Sequence, residues 1–210
     1  NKVTEIPFTR RATPMKKLIL RAVGLSTFMI IVYTGNGKGK TTASLGQAIR
    51  ALGERKKVLM IQFIKGPWIS GEDFFFEKIK NPAFAKASAG KQNFKFQIIK
   101  SGKGFVGIMG DRLPRSVHKK AAKQALSLAT KKVASKKYDL IILDEINVAI
   151  GLGLISEKEV INLIKKIPKG IDLILTGRNA PKRLINLADI ATEMKEIKYK
   201  FNPAKQGIEY

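Results

Sequence analysis

Residues 35–42 alternate glycine with polar residues and end in a lysine and two threonines, in the order Gly-Asn-Gly-Lys-Gly-Lys-Thr-Thr. Glycines let the backbone curl so that its N–H groups point inward, and the start of a following helix adds partial positive charge. A lysine at this spacing contacts phosphates, and the hydroxyl after it can bind Mg²⁺. The spacing predicts a phosphate-binding P-loop formed by Gly35, Asn36, Gly37, Lys38, Gly39, Lys40, Thr41 and Thr42.

One position departs from the usual P-loop pattern, which has a glycine five residues before the glycine of the Gly-Lys pair. Thr34 occupies that position, so the loop is a variant. A glycine-rich turn that binds no ligand is the alternative interpretation. It is disfavoured because an apolar strand pattern at 29–33 precedes the loop and a helical pattern at 43–52 follows it.

A pair of carboxylates, Asp144 and Glu145, directly follows the apolar run at 140–143. The carboxyl ends of strands in a parallel sheet face the ligand crevice, so this Walker B arrangement predicts that Asp144 lies beside the P-loop. There it would position Mg²⁺, directly or through water. A helix start with no role in binding is the alternative, and the P-loop upstream favours the functional interpretation.

Other residues that could do chemistry lie near predicted strand ends or helix starts. Arg178 follows another strand pattern and faces either the same crevice or the solvent. Gly104 and Phe105 belong to a second glycine-rich loop, which by itself is a weak signal. His118 lies at the start of the predicted helix 116–135, and no partner for it is evident in the sequence, so we expect a structural role.

The strands and helices that the sequence predicts must position these residues. Strands are predicted at 29–34, 57–63, 94–99, 138–143 and 171–176, with one more expected within 189–210. Helices are predicted at 43–52, 116–135, 157–167 and 181–188. The three consecutive phenylalanines at 74–76 are expected to pack in the core.

The chain has 210 residues and a net charge of +24, with lysines spread along its whole length. Such a charge is compatible with binding to nucleic acid and equally with binding to small anionic phosphates. The even spread of lysines along the chain favours a third interpretation, a basic surface exposed to solvent. The absence of cysteine excludes disulfides and thiolate chemistry, and the single histidine excludes a histidine metal cluster. No apolar run is long enough to span a membrane.

The chain length predicts one domain with a proper core. Residues 1–28 are a basic N-terminal extension, which we expect to be either disordered or a cap over the active site. The recognisable domain is expected at 29–210, and Met29 is a candidate natural translation start. Within it, residues 81–92 are alanine-rich and are predicted to be an inserted loop of low complexity.

Together these motifs resemble the P-loop type of ATP:cob(I)alamin adenosyltransferase, also called corrinoid adenosyltransferase. The resemblance covers the chain from Met29 to its C-terminus. It rests on the P-loop, on Gln-Phe-Ile-Lys-Gly at 62–66 with Trp68, and on Gly104-Phe105, Leu143-Asp144-Glu145, Thr176-Gly177-Arg178 and Gly-Ile-Glu-Tyr at 207–210.

The resemblance implies an α/β fold: a doubly wound, mostly parallel sheet with P-loop NTPase-like topology, in a single domain. It implies an enzyme that transfers the 5′-deoxyadenosyl group of ATP to the cobalt of a reduced corrinoid, either cob(I)alamin or cob(I)yrinic acid a,c-diamide. Tripolyphosphate would be released, in adenosylcobalamin synthesis or salvage. The family is usually homodimeric, so we expect a cytoplasmic homodimer that receives electrons from a protein such as a flavoprotein.

Roles for individual residues follow from the same resemblance. ATP would lie reversed in the P-loop, with Arg178 among its contacts, while Gly104 and Phe105 would contact the corrinoid. The catalytic residues would be Lys40, Thr41 and Glu145, and Mg²⁺ or Mn²⁺ would bind at Thr41 and Asp144. Because cob(I)alamin is itself a strong nucleophile, the protein needs no base to activate it.

Three departures from the family affect the expected corrinoid contacts more than the ATP contacts. Gly107 replaces an aromatic residue, Tyr199 replaces a histidine, and the tail at 201–207 looks shortened. Two other classes of function stay open from the sequence. One is a basic P-loop ATPase acting on nucleic acid, with Glu145 polarising a water; the other is a nucleotide-binding scaffold without turnover.

Overall fold

The computed structural model describes residues 28–66, 68–80, 95–200 and 203–208. Apart from Phe28, the predicted basic extension lies outside the described residues, and so does the predicted loop at 81–92. No helix in the described ranges combines the length and apolarity needed to cross a bilayer.

The centre of the described fold is a sheet of six parallel strands. The strands are β1 (Ile30–Thr34), β2 (Val58–Gln62), β3 (Phe96–Lys100), β4 (Leu140–Asp144), β5 (Asp172–Thr176) and β6 (Ile190–Glu193). Their order in the sheet is β3-β2-β4-β5-β1-β6. All residues of β1, β2 and β4 are buried, as expected for strands covered on both faces.

Helices connect the strands and cover both faces of the sheet. The helices are α1 (Lys40–Gly53), α2 (Gly71–Lys80), α3 (Arg115–Ala134), α4 (Ile146–Gly151), α5 (Glu157–Ile164) and α6 (Lys182–Leu187). Helix α5 starts with the capping box Ser156 and Glu159, in which each side chain accepts a hydrogen bond from the other residue's backbone N–H.

The core consists of two clusters, one on each face of the sheet. One contains alternate strand residues such as Leu59 and Ile141, together with the inward alanines of α3 and the buried side chains of α5. The other contains Met60 and Ile142 with α1 and Phe76 of α2. Helices on both faces of a parallel sheet confirm the predicted doubly wound α/β domain.

The prediction that all three phenylalanines at 74–76 pack in the core is wrong for two of them. Phe76 is 5% exposed, whereas Phe74 and Phe75 are 55% and 48% exposed. These residues lie in helix α2. Consecutive helical residues are about 100° apart around the axis, so one face cannot bury three in a row.

The order of the strands determines which loops can form a site. Strand β5 lies between β1 and β4, pairing Tyr33 with Thr176 on one side and Leu143 with Leu175 on the other. Their carboxyl ends therefore meet at one edge of the sheet, where the loops after β1, β4 and β5 converge.

Candidate active site

The glycine-rich loop between β1 and α1 has the curled backbone that the sequence predicts. Gly35 and Gly39 adopt φ angles of 97° and 105°, which side chains disfavour. The Lys40 ammonium group lies inside the curl and donates hydrogen bonds to the carbonyls of Gly35 at 2.8 Å and Gly37 at 2.7 Å. Lys40 is only 7% exposed, and burial lowers its pKa.

The segment after β6 forms one wall of this loop, a contact that sequence reasoning missed. The Gly37 N–H donates to the Met194 carbonyl at 2.8 Å, and the Met194 N–H donates to the Thr34 carbonyl at 2.8 Å. A Cβ at Gly35 would lie 2.3 Å from the Met194 carbonyl oxygen, and one at Gly37 would lie 2.8 Å from the Lys195 carbonyl carbon. The two glycines are therefore required by the close approach of this backbone.

Asp144 is completely buried and accepts three side-chain hydrogen bonds. Thr41 Oγ1 and Thr176 Oγ1 donate to Oδ1 at 2.9 and 2.7 Å, and Gln62 Nε2 donates to Oδ2 at 3.2 Å. The structure thus brings Thr41 and Asp144 together, as the Walker B interpretation predicts. Burial raises the pKa of Asp144, while the hydroxyl and amide donors and the charge of Lys65 oppose this rise.

Thr176 and Gln62 were not predicted as site residues, although a signal for them exists in the sequence. Each is the polar residue that ends a buried apolar strand, β5 or β2. Both are 0% exposed, and burying a polar side chain costs free energy unless it is hydrogen-bonded. Their position at the same sheet edge as Asp144 accounts for their burial.

Glu145 follows in a strained conformation, with a φ of 60° in the left-handed region. Its backbone N–H donates to Thr176 Oγ1 at 2.9 Å. Its Oε2 atom is buried and has no hydrogen-bond partner among the described residues. Burial, reinforced by the charge of Asp144, raises the pKa of Glu145 to about 7, although Lys40, Arg178 and Lys65 act in the opposite direction.

These oxygen atoms form a donor set suited to a hard divalent cation. Thr41 supplies a hydroxyl, and Asp144 and Glu145 supply carboxylates, one with an unpartnered buried oxygen. Within the described ranges, no group of three or more His, Cys, Asp or Glu residues could hold a metal. A cation here would therefore take its other ligands from phosphate and water, as Mg²⁺ does in nucleotide sites.

Arg178 lies in the loop after β5, and its side chain is exposed. Its charge nevertheless reaches the site: it adds to the lowering of the pKa of Lys40 and opposes the raised pKa of Glu145. Arg178 is thus exposed and near Lys40 and Glu145, and its position at the crevice stays a prediction.

The loop after β2 and the second glycine-rich loop, which follows β3, each contribute one ring to an exposed aromatic pair. The ring centroids of Trp68 and Phe105 are 5.7 Å apart with a 37° tilt, and the residues are 59% and 42% exposed. Gly104 has a φ of 104°, and a Cβ there would lie 2.5 Å from the indole. Its N–H donates to the Ile64 carbonyl at 3.0 Å, so this loop packs on the one after β2.

Polar contacts anchor both of these loops. Lys100 donates to the Trp68 carbonyl and to Asp73 Oδ2, the latter at 2.5 Å. His118 is 3% exposed and its Nε2 lies 2.9 Å from Asp111 Oδ2, which also accepts from the Gly107 N–H at 2.8 Å. The expected structural role of His118 therefore fits, but the sequence missed its partner.

The C-terminal segment also reaches the P-loop. The Lys38 ammonium group lies 4.6 Å from the ring centroid of Tyr199 and donates to its hydroxyl at 3.5 Å. A cation over an aromatic face is attracted by the ring quadrupole. Tyr199 thus lies against the phosphate-binding loop.

Comparison with known proteins assigns this arrangement to a family. The model of the family described as ATP:corrinoid adenosyltransferase BtuR/CobO/CobP matches residues 26–210. The corrinoid adenosyltransferase of Escherichia coli (strain K12) is 32% identical over 185 residues, which cover 87% of this chain and 85% of that protein.

Two further relatives agree with this match. Corrinoid adenosyltransferase CobA of Salmonella typhimurium is 31% identical over 185 residues, covering 87% of this chain and 85% of that protein. The corrinoid adenosyltransferase of Sinorhizobium sp is 35% identical over 186 residues, covering 87% of this chain and 80% of that protein.

Proposed function

Because the chain belongs to the ATP:corrinoid adenosyltransferase family, we propose that it transfers the 5′-deoxyadenosyl group of ATP to the cobalt of a reduced corrinoid. The observation that carries the proposal is the contact between the two motifs: Thr41 of the curled P-loop donates directly to Asp144 at the end of β4. This contact at one edge of the sheet supports a site in which the P-loop holds the triphosphate of ATP and Asp144 holds a cation.

The reaction is a nucleophilic substitution in which cobalt(I) supplies the electron pair. A cobalt–carbon bond forms at the 5′ carbon of ATP while the bond from that carbon to the triphosphate oxygen breaks. The electron pair of the broken bond leaves with tripolyphosphate. The protein must hold the reacting atoms close together and stabilise the negative charge that develops on the leaving group.

Lys40, Lys38 and the N–H groups of the P-loop suit the stabilisation of that charge. Lys40 is held within the curl by two carbonyls, so its ammonium group is already placed where phosphate would bind. Thr41 and Asp144 would hold Mg²⁺ or Mn²⁺. When bound, the cation neutralises charge on the phosphate oxygens. Glu145 is suited to orienting water molecules around the cation.

Gly104 and Phe105 are proposed to face the corrinoid, together with Trp68. A flat macrocycle offers a large apolar face, and two exposed rings side by side offer a matching surface. A homodimer, a flavoprotein-type electron donor and a cytoplasmic location are inferences from the family resemblance. Neither the fold nor the relatives favour the alternative of a nucleic-acid-dependent ATPase.

Product analysis tests the proposal directly. The protein is incubated with ATP, Mg²⁺ and chemically reduced cobalamin, and the products are separated and quantified. Tripolyphosphate together with a light-sensitive cobalt–carbon bond is expected, and neither should form when the corrinoid is omitted. Orthophosphate formed only with added DNA or RNA would support the ATPase instead, and no product under either condition would leave a nucleotide-binding scaffold.

A further inference from the structure

We propose that the hydroxyl of Thr34 positions Arg178 at the phosphate-binding loop, and that this is why a threonine replaces the usual glycine. Thr34 is the last residue of β1 and is 8% exposed. Its Oγ1 accepts a hydrogen bond of 2.9 Å from the Ala180 N–H, two residues after Arg178. The inference rests on the proposed function, because it assigns Arg178 to the triphosphate of ATP.

The other end of the loop is fixed just before Arg178. The Gly177 N–H donates to the Tyr33 carbonyl at 3.1 Å, and the Gly177 carbonyl accepts from Asn147 Nδ2 at 3.4 Å. Gly177 adopts a φ of 129°, and a Cβ there would lie 3.0 Å from the Asn147 Cβ. The backbone is thus held on both sides of Arg178, and the Thr34 bond joins its C-terminal side to the P-loop strand.

The side chain of Arg178 is exposed, and it lies close enough to Lys40 in the P-loop and to Glu145 after β4 for its charge to act on both. A guanidinium group presents several donors in a plane and binds phosphate oxygens in pairs. A short loop fixed at both ends limits the directions that such a long side chain can take, which lowers the entropic cost of binding.

A glycine at position 34 could not make this bond. The common P-loop glycine has no side chain, so the Ala180 N–H would lose this partner, and the loop would stay bonded to β1 only on the N-terminal side of Arg178, through Gly177 and Tyr33, among the described residues. Thr34 therefore acts through Arg178 and is a positioning residue. A purely structural role predicts a different result: loss of the hydroxyl would lower stability, whether or not Arg178 is present.

A double-mutant cycle separates the two roles. Thr34→Val keeps the branched shape and removes the hydroxyl, and Thr34→Ser keeps the hydroxyl as the matched control. Each is made alone and with Arg178→Ala, and kcat/KM for ATP, KM for the corrinoid and the thermal melting temperature are measured. Thr34→Ala is used in place of Thr34→Val if that variant melts without cooperativity.

We expect Thr34→Val to lower kcat/KM for ATP about fivefold, the scale of one hydrogen bond, with Thr34→Ser close to the parent. KM for the corrinoid should not change. In the protein that already carries Arg178→Ala, Thr34→Val should not lower kcat/KM for ATP any further. An equal loss in both backgrounds, or no loss with Arg178 present, would overturn the proposal.

A failure of this inference is distinguishable from a failure of the proposed function. If the parent protein transfers no adenosyl group, the same cycle is read from the dissociation constant of Mg²⁺–ATP by calorimetry. Non-additive effects on that constant support the positioning role of Thr34, and additive effects or no effect overturn it.

Discussion

Thr41 and Asp144 are 103 residues apart in the sequence, yet the hydroxyl of one donates to the carboxylate of the other at 2.9 Å. Thr41 lies in the first turn of α1, after β1, and Asp144 is the last residue of β4, with β5 lying between these two strands. Thr176 at the end of β5 donates to the same carboxylate oxygen at 2.7 Å. The contact thus links the ends of three strands into one site.

Replacing Lys40 by alanine should remove most ATP binding and activity. Its ammonium group is almost buried in the loop, so the loss of this charge opposite a triphosphate is not compensated by water. We expect a loss of about 2–4 kcal/mol in transition-state stabilisation, measured as kcat/KM for ATP. Lys123→Ala, an exposed lysine on α3, is the control and should leave kcat/KM unchanged. Near-normal turnover of the Lys40 variant would show that ATP binds elsewhere.

Replacing Glu145 by glutamine should make the protein without ATP or metal more stable at pH 8. Burial raises the pKa of Glu145 from 4.5 to about 7. Between these two pH values Glu145 is therefore protonated in the folded state and ionised in the unfolded state. The free energy of unfolding therefore falls as the pH rises from about 4.5 to about 7, by an amount on the order of 2–3 kcal/mol. The glutamine variant does not titrate and should lack this fall.

Urea denaturation at pH 5 and pH 8 measures the effect, because other titrating groups cancel in the difference between the two proteins. The same variant should be less active with Mg²⁺–ATP, since a carboxylate is replaced by a neutral amide at the cation site. A glutamine variant with the same pH dependence as the parent would show that Glu145 is not held protonated by its surroundings.

Local patterns carried most of the information that the sequence contained about the site. The P-loop and the carboxylates after β4 could be predicted because each is a contiguous strand–loop segment with its own spacing. The wall formed by Met194 could not, because it depends on the pairing of β6 with β1. Asp111 as the partner of His118 was missed for a related reason, since an irregular loop brings the two side chains together.

Removing residues 1–28 should leave a folded core. The start of β1 is held by contacts within the described domain: the Ile30 N–H donates to Asp189 Oδ2 at 2.7 Å, and β1 pairs with both β5 and β6. Because β1 has a partner strand on each side, we expect it to form without the preceding segment, although Phe28 packs against the core. Circular dichroism and thermal melting of the shortened chain measure this, and a loss of cooperative melting would contradict the prediction.

The exposed rings of Phe105 and Trp68 lie at the proposed corrinoid surface. The family resemblance implies that an aromatic ring in this loop shields the lower face of the corrinoid and displaces its axial ligand, which makes cobalt(II) easier to reduce. Because Gly107 supplies no second ring, the sequence alone predicts shielding by Phe105 only, with weaker turnover from cobalt(II) than from pre-reduced cobalt(I). The structure places Trp68 beside Phe105, with 5.7 Å between ring centroids, so two rings are present at this surface.

Phe105→Ala and Trp68→Ala should each weaken turnover from cobalt(II) more than turnover from cobalt(I), with ATP affinity nearly unchanged. Either substitution removes apolar area that excludes water and the axial ligand. Because the rings are in contact, the double variant should lose less than the sum of the single losses, with a coupling of about 0.5–1.5 kcal/mol. Trp68→Phe, which keeps a ring, is the control.

Spectra of the cobalt(II) corrinoid bound with ATP report the fraction of four-coordinate cobalt directly. If that fraction is the same in the parent and in both alanine variants, these rings do not shield the cobalt.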